Sequence, residues 1–131
     1  MLDPKLRILI VDDYTTMRRI IRNLLTQIGF SDITEAADGQ EAFEKLRSGG
    51  RFDLVVSDWN MEPMTGLELL KAMRADSGLA AIPFIMVTAE SKTENVVAAK
   101  KAGVNNYIVK PFNAETLRSK IDAVLGVTEP A

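Results

Sequence analysis

A chain of 131 residues, 47% hydrophobic and 26% charged, has the size and balance of one globular domain with a real core. Its net charge of −2, from 16 basic and 18 acidic residues, gives no general affinity for nucleic acid. With no histidine and no cysteine, the usual zinc sites, Ser-His-Asp triads and disulfide frameworks are excluded, and any metal must be held by oxygen. Strand-like and helix-like stretches then alternate along the chain. LRILIV (6–11) is a β-branched apolar run that predicts a strand. Met17, Ile20, Ile21, Leu24, Leu25 and Ile28 recur at helical spacing, and Gly29 stands where that helix stops. DITEA (32–36) is a weaker strand, and residues 39–50 predict a helix burying Ala42, Phe43 and Leu46 before two glycines. FDLVVS (52–57) is a strand, and residues 66–76 a helix with Leu67, Leu70 and Met73 inward. PFIMVT (83–88), a helix over 93–103 and NYIVK (106–110) follow. Asn113 can cap a last helix that buries Leu117, Ile121 and Val124.

Five strands alternating with five helices predict an α/β fold, a parallel sheet covered on both faces. The apolar runs are too short to span a bilayer and MLDPKLR is no signal peptide, so a cytoplasmic protein without membrane association is expected.

All strands of such a sheet end on one edge, where sites form. Asp12 and Asp13 follow the first strand, Asp58 the third, Thr88 ends the fourth and Lys110 the fifth. Each has an innocent reading: a helix cap, a turn, a solvated charge. Together they bring three acids, a hydroxyl and an amine to one place. Packed carboxylates repel and raise one another's pKa, so a cation is expected to neutralise them, and a small oxygen-only site favours magnesium over calcium. A metal, a lysine and a carboxylate suit phosphoryl transfer, with Asp58 as the nucleophile that becomes an acyl phosphate. No GxxxxGK[ST] segment is present, so a P-loop nucleotide site is excluded.

IVDD (10–13), SDWNM (57–61), VTAE (87–90) and IVKPF (108–112) resemble the motifs of the bacterial two-component response-regulator receiver domain, over about residues 5–126. The resemblance implies a single domain over 1–131 with a (βα)5 flavodoxin-like fold and strand order 2-1-3-4-5. It implies that Asp58 accepts a phosphoryl group from a histidine kinase. Asp12, Asp13 or both hold magnesium, directly or through water, with Asp58 and the backbone carbonyl of Asn60. Thr88 and Lys110 sense the phosphoryl group, and Tyr107 swings inward on activation. The Lys110–Pro111 bond is expected to be cis. Asn60 and Glu90 set the lifetime of the acyl phosphate, a short one for these residue types. Such a protein is a switch that catalyses its own phosphorylation and slow dephosphorylation, not an enzyme acting on a separate substrate.

One departure stands beside the phosphorylation site. Relatives usually have proline directly after the methionine of DWNM, whereas here Glu62 intervenes before Pro63, which alters the expected loop path and adds a carboxylate. The expected partners are a chemotaxis-type histidine kinase, a flagellar motor switch protein or another output protein, and a phosphatase; a monomer is expected. A phosphate sink or relay carrier without an output partner, and a metal-dependent hydrolase of small phosphates, are alternatives that the same site chemistry allows. Arg18, Arg19 and Arg22 read as a solvated face of the first helix; in relatives this helix helps bind the kinase.

Overall fold

Short runs of apolar and β-branched residues, each bounded by turn-forming residues, build one parallel sheet. Its strands are β1 (Arg7–Val11), β2 (Asp32–Ala36), β3 (Leu54–Asp58), β4 (Phe84–Thr88) and β5 (Asn106–Val109), in the order β2-β1-β3-β4-β5. Helices α1 (Thr15–Ile28), α2 (Gly39–Ser48), α3 (Gly66–Ala75), α4 (Thr93–Ala102) and α5 (Ala114–Leu125) alternate with them. The computed structural model describes residues 6–48, 52–59, 64–88, 93–110 and 112–125. Among these, no helix is long and apolar enough to cross a membrane. The strand order is the one the resemblance implies.

Side chains alternate across a strand, so each buried strand feeds two cores. Leu9, Val11, Val55, Phe84 and Met86 face one side, where Ala42 and Leu46 of α2 and Leu69, Leu70 and Met73 of α3 cover them. Ile8, Ile10, Leu54, Val56, Ile85, Val87 and Ile108 face the other, against Ile21 and Leu25 of α1 and Leu117 and Ile121 of α5. Gly29 ends α1 at φ 125, with its amide on the Leu25 and Thr26 carbonyls. That conformation suits glycine, which carries no Cβ to clash. Asn113 does cap α5: its Oδ1 accepts the Thr116 amide at 2.8 Å.

Four expectations shift. β3 begins at Leu54 rather than Phe52, because Asp53 is used as a tie: its amide donates to the Arg7 carbonyl and its carboxylate accepts the Arg7 amide. In α3 the inward stripe is Leu69, Leu70 and Met73, with Leu67 only half-buried. Phe43 is likewise half-buried and packs at the margin of the α2–α3 core. Ile20 is 44% exposed, since the buried stripe of α1 runs through its neighbour Ile21, about 100° further round the helix.

The entry to α3 matters most for the site. Thr65 caps it by a reciprocal pair, its hydroxyl accepting the Glu68 amide and its own amide donating to the Glu68 carboxylate, both at 3.1 Å. Gly66 then donates its amide to the Trp59 carbonyl at 3.0 Å. A Cβ on Gly66 would stand 2.2 Å from the Asp58 carbonyl oxygen and 2.9 Å from Met86 Sδ. Glycine here lets the start of α3 press on the backbone of the strand end that carries Asp58. Gly66→Ala should therefore lower stability by about 1–3 kcal/mol, the usual range for overpacking. Gly78→Ala, where the nearest atom is Asp76 Oδ1 at 3.4 Å, should change it little. Urea midpoints of the two variants at an unchanged m-value check this.

Candidate functional site

The parallel register assembles the site before any side chain is considered. Val11 pairs with Ser57, so Asp12 follows level with Asp58. Asp58 pairs with Val87 and Thr88 with Val109, so Thr88 and Lys110 arrive one step on from their neighbours. The expected strand-end residues therefore meet: one carboxylate oxygen from each of Asp12, Asp13 and Asp58 lies within 4.8 Å of the others. Lys110 Nζ donates to Asp58 Oδ1 at 3.0 Å and lies 3.8 Å from Asp12 Oδ2. Thr88 is buried at the end of β4, and its carbonyl accepts the Lys110 amide at 2.8 Å.

The three acids are not equivalent. Asp12 is buried, Asp13 exposed, and Asp58 buried at 7% exposure. Asp12 does not cap α1; the cap position is Tyr14, and Asp12 Oδ1 accepts the Tyr14 amide at 2.9 Å. Its Oδ2 is buried and has no hydrogen-bond donor among the described residues. Burial is the first reason that Asp12 holds its proton up to about 6, above the ordinary 3.8. The Tyr14 amide pulls the other way, and the charges of Asp58 and Asp13 add to the rise while Lys110 opposes it. Desolvation outweighs the repulsion between neighbouring carboxylates that the sequence predicts, because Asp12 is enclosed at the strand end.

An oxygen-only donor set with a buried carboxylate oxygen lacking a donor fits a hard cation. Asp12, Asp13 and Asp58 are the side chains that would hold it. Asn60, Glu62, Pro63, Glu90 and Pro111, with the Lys110–Pro111 peptide bond, lie outside the described residues. Trp59 follows Asp58 and is half-buried, packed against the α2–α3 core. Tyr107 on β5 is half-buried, and Lys120 Nζ lies 5.7 Å from the centre of its ring.

Two residues near the site were not foreseen. Gly66 is legible only through the space it leaves. The sequence predicts Arg18 on a solvated face, yet its Nη1 donates to the Asp12 carbonyl at 2.6 Å. Arg18 and Arg22 share Glu35, at 3.3 and 2.7 Å, while Arg19 is exposed. The signal was available: helical side chains lean toward the helix N-terminus, so a long residue in the first turn of α1 reaches back over the loop before it.

A fold of this strand order with these residues at its edge defines a receiver domain, and a family model for the response regulator receiver domain matches residues 8–122. The chain belongs to that family. It is similar to chemotaxis proteins among others: it is 53% identical over 119 residues to the chemotaxis protein CheY of Pseudomonas aeruginosa, covering 91% of this chain and 95% of that one. Among solved structures, the Vibrio cholerae chemotaxis protein CheY4 superposes with a TM-score of 0.85 at 38% identity, over 92% of this chain and 98% of that one. The receiver domain of a Pseudomonas aeruginosa sensor histidine kinase, solved with magnesium in its active-site cleft, matches with a TM-score of 0.84 at 25% identity over 93% and 98% of the two chains. The chain is thus a CheY-like response-regulator receiver domain.

The proton held by Asp12 has a measurable consequence without metal. Below 3.8 the carboxyl is neutral folded or unfolded; between there and about 6 the folded state alone keeps the proton, so Asp12's share of stability is lost as pH rises through that window. Asp12→Asn keeps an oxygen for the Tyr14 amide and carries no charge. In chelator at pH 7 the variant should be more stable than the wild type by up to about 3 kcal/mol. The difference should vanish below pH 4, as urea unfolding across that range would read.

Proposed function

We propose that this chain is a phosphorylation switch in which Asp58 is the phosphoacceptor, serving a two-component system of the chemotaxis kind. The observation that carries it is the Asp58 carboxylate at the strand edge, tied through Oδ1 to Lys110 at 3.0 Å beside the Asp12 and Asp13 carboxylates. An Asp58 oxygen forms the bond to phosphorus as the P–N bond of a kinase phosphohistidine breaks, and the imidazole leaves with the bonding pair. Lys110 keeps Asp58 oriented before transfer. It then moves its ammonium from the carboxylate to a phosphoryl oxygen, a contact that exists only afterwards. Asp12, Asp13 and Asp58 would hold magnesium, which would supply positive charge against the phosphoryl oxygens. Thr88, at the end of β4, donates a hydrogen bond from its hydroxyl to another of them.

The size of the switch sets how many contacts it needs. Turning a mostly inactive population into a mostly active one takes about 5.5 kcal/mol. One hydrogen bond to a charged group contributes roughly 1.5–3 kcal/mol. Lys110 and Thr88 must therefore act together, and strand β5 carries the change from Lys110 to Tyr107 and the α4–β5–α5 face. The output is a change in binding to another protein; by likeness to the chemotaxis relatives, a motor switch protein is the first candidate and a histidine kinase the phosphodonor. The protein acts as a monomer whose only covalent chemistry is on itself.

Acetyl phosphate with magnesium should add one phosphoryl group, labile in base, to the wild type and none to Asp58→Asn, by intact mass. A base-labile phosphoryl group on the variant would show that Asp58 is not the nucleophile. In a second test, amide spectra are recorded with and without beryllofluoride. The wild type should shift at Tyr107 and Val97, whereas Lys110→Ala should bind magnesium yet lose those distant shifts. Wild-type shifts confined to the strand ends would instead favour a carrier without output.

A further inference from the structure

We propose that Arg18 is a positioning residue for the paired acids Asp12 and Asp13: its guanidinium clamps the peptide between them so that both carboxylates address one cation. The inference rests on the cation site proposed above and concerns a residue outside it.

The clamp is built from both ends. Toward the site, Nη1 of Arg18 donates to the Asp12 carbonyl at 2.6 Å, a charge-assisted bond. That oxygen belongs to the peptide plane linking Asp12 to Asp13. Fixing it fixes the rotation of the plane, and with it the direction in which the Cα of Asp13 leaves. The other ties on this segment act on Asp12 itself: its amide donates to the Ala36 carbonyl at 3.2 Å, and its Oδ1 accepts the Tyr14 amide. Asp13 is exposed, so its position follows from its backbone.

Away from the site, Arg18 is held in turn. Nε donates to Glu35 Oε1 at 3.3 Å and Nη2 to Thr15 Oγ1 at 3.3 Å. Glu35 is also gripped by Arg22 Nε at 2.7 Å, while Arg22 Nη2 reaches the Ile33 carbonyl at 3.0 Å. Lys45 of α2 donates to the Glu35 carbonyl at 2.6 Å. The guanidinium therefore stands on a frame made of α1, β2 and α2. Its side chain is only 16% exposed, unlike the adjacent, exposed Arg19.

Charge alone predicts the opposite effect. A cation beside an acid cluster repels a second cation, so removing Arg18 would tighten metal binding through the field. Positioning predicts that removal loosens it, and the two readings differ in sign.

The test is a magnesium titration of the intact chain, read by Trp59 emission and by calorimetry, together with amide hydrogen exchange in chelator. Arg18→Ala should weaken magnesium binding about tenfold or more, the range typical of losing a group that orients a metal ligand. Arg18→Lys should recover part of the loss, since one ammonium replaces one arm of the fork. Arg19→Ala should bind as the wild type does. In Arg18→Ala the Tyr14 amide should exchange faster while the Leu9 and Val56 amides do not. Unchanged or tighter binding in Arg18→Ala, with the wild type binding normally, overturns the positioning role and leaves the cation site standing. Faster exchange at Leu9 and Val56 to the same degree makes Arg18 a general stabiliser and also overturns it. A wild type that binds no magnesium removes the site and the role together.

Discussion

Everything at the functional edge depends on the register of β1 against β3. Pairing Val11 with Ser57 sets Asp12 level with Asp58 and brings two acids from distant segments together at the sheet edge. A slip of one residue would turn every side chain of the strand to the opposite face. That slip is resisted because both faces are close-packed, so side chains of different shape would have to exchange cores: Ile8, Leu9, Ile10 and Val11 on β1 and Leu54, Val55 and Val56 on β3 are all at 0% exposure. The two cores are thus what hold the carboxylates together, against their mutual repulsion.

The site is the part of the molecule where local energetics run against folding. Asp12 is enclosed with one oxygen lacking a donor among the described residues, and its proton is held up to about 6. Lys110 relieves part of this, but it bonds to Asp58 and lies 3.8 Å from Asp12. A single ammonium shared between two carboxylates leaves negative charge over. That excess is what makes the pocket receptive to a cation, and the strain persists because the surrounding sheet over-determines it. Lys110, at 25% side-chain exposure, retains room to change partners.

Support for the edge comes from beyond it. Gly66 lets α3 press on the Asp58 backbone, and the Thr65–Glu68 cap fixes where that helix starts. On the other side, Arg18, Arg22 and Lys45 gather on Glu35 and tie β2 to both flanking helices. The hydrogen bonds behind the edge thus reach as far out as β2, the edge strand that carries none of the site residues. The β5 side is looser: Tyr107 is only half-buried, with Lys120 near its ring, so its environment can change without breaking the core.

The alternation of strands and helices is written in the residue pattern, because apolar period and glycine stops are local properties. That pattern also determined which residues would crowd the edge: once the sheet is parallel, Asp12, Asp13, Asp58, Thr88 and Lys110 have only one edge to reach. The strand order 2-1-3-4-5 came from family resemblance, since alternation alone does not say which strands are neighbours. Tertiary structure decided the rest. Ile20 faces outward and Leu69 inward because a helix's buried stripe is set by what it packs on, not by its own apolar residues alone. Arg18 reads as surface charge until β2 brings Glu35 beside it and the loop turns the Asp12 carbonyl toward it. Burial, more than neighbouring charge, raises the Asp12 pKa, and burial is a property of the assembled domain that no spacing of residues reports.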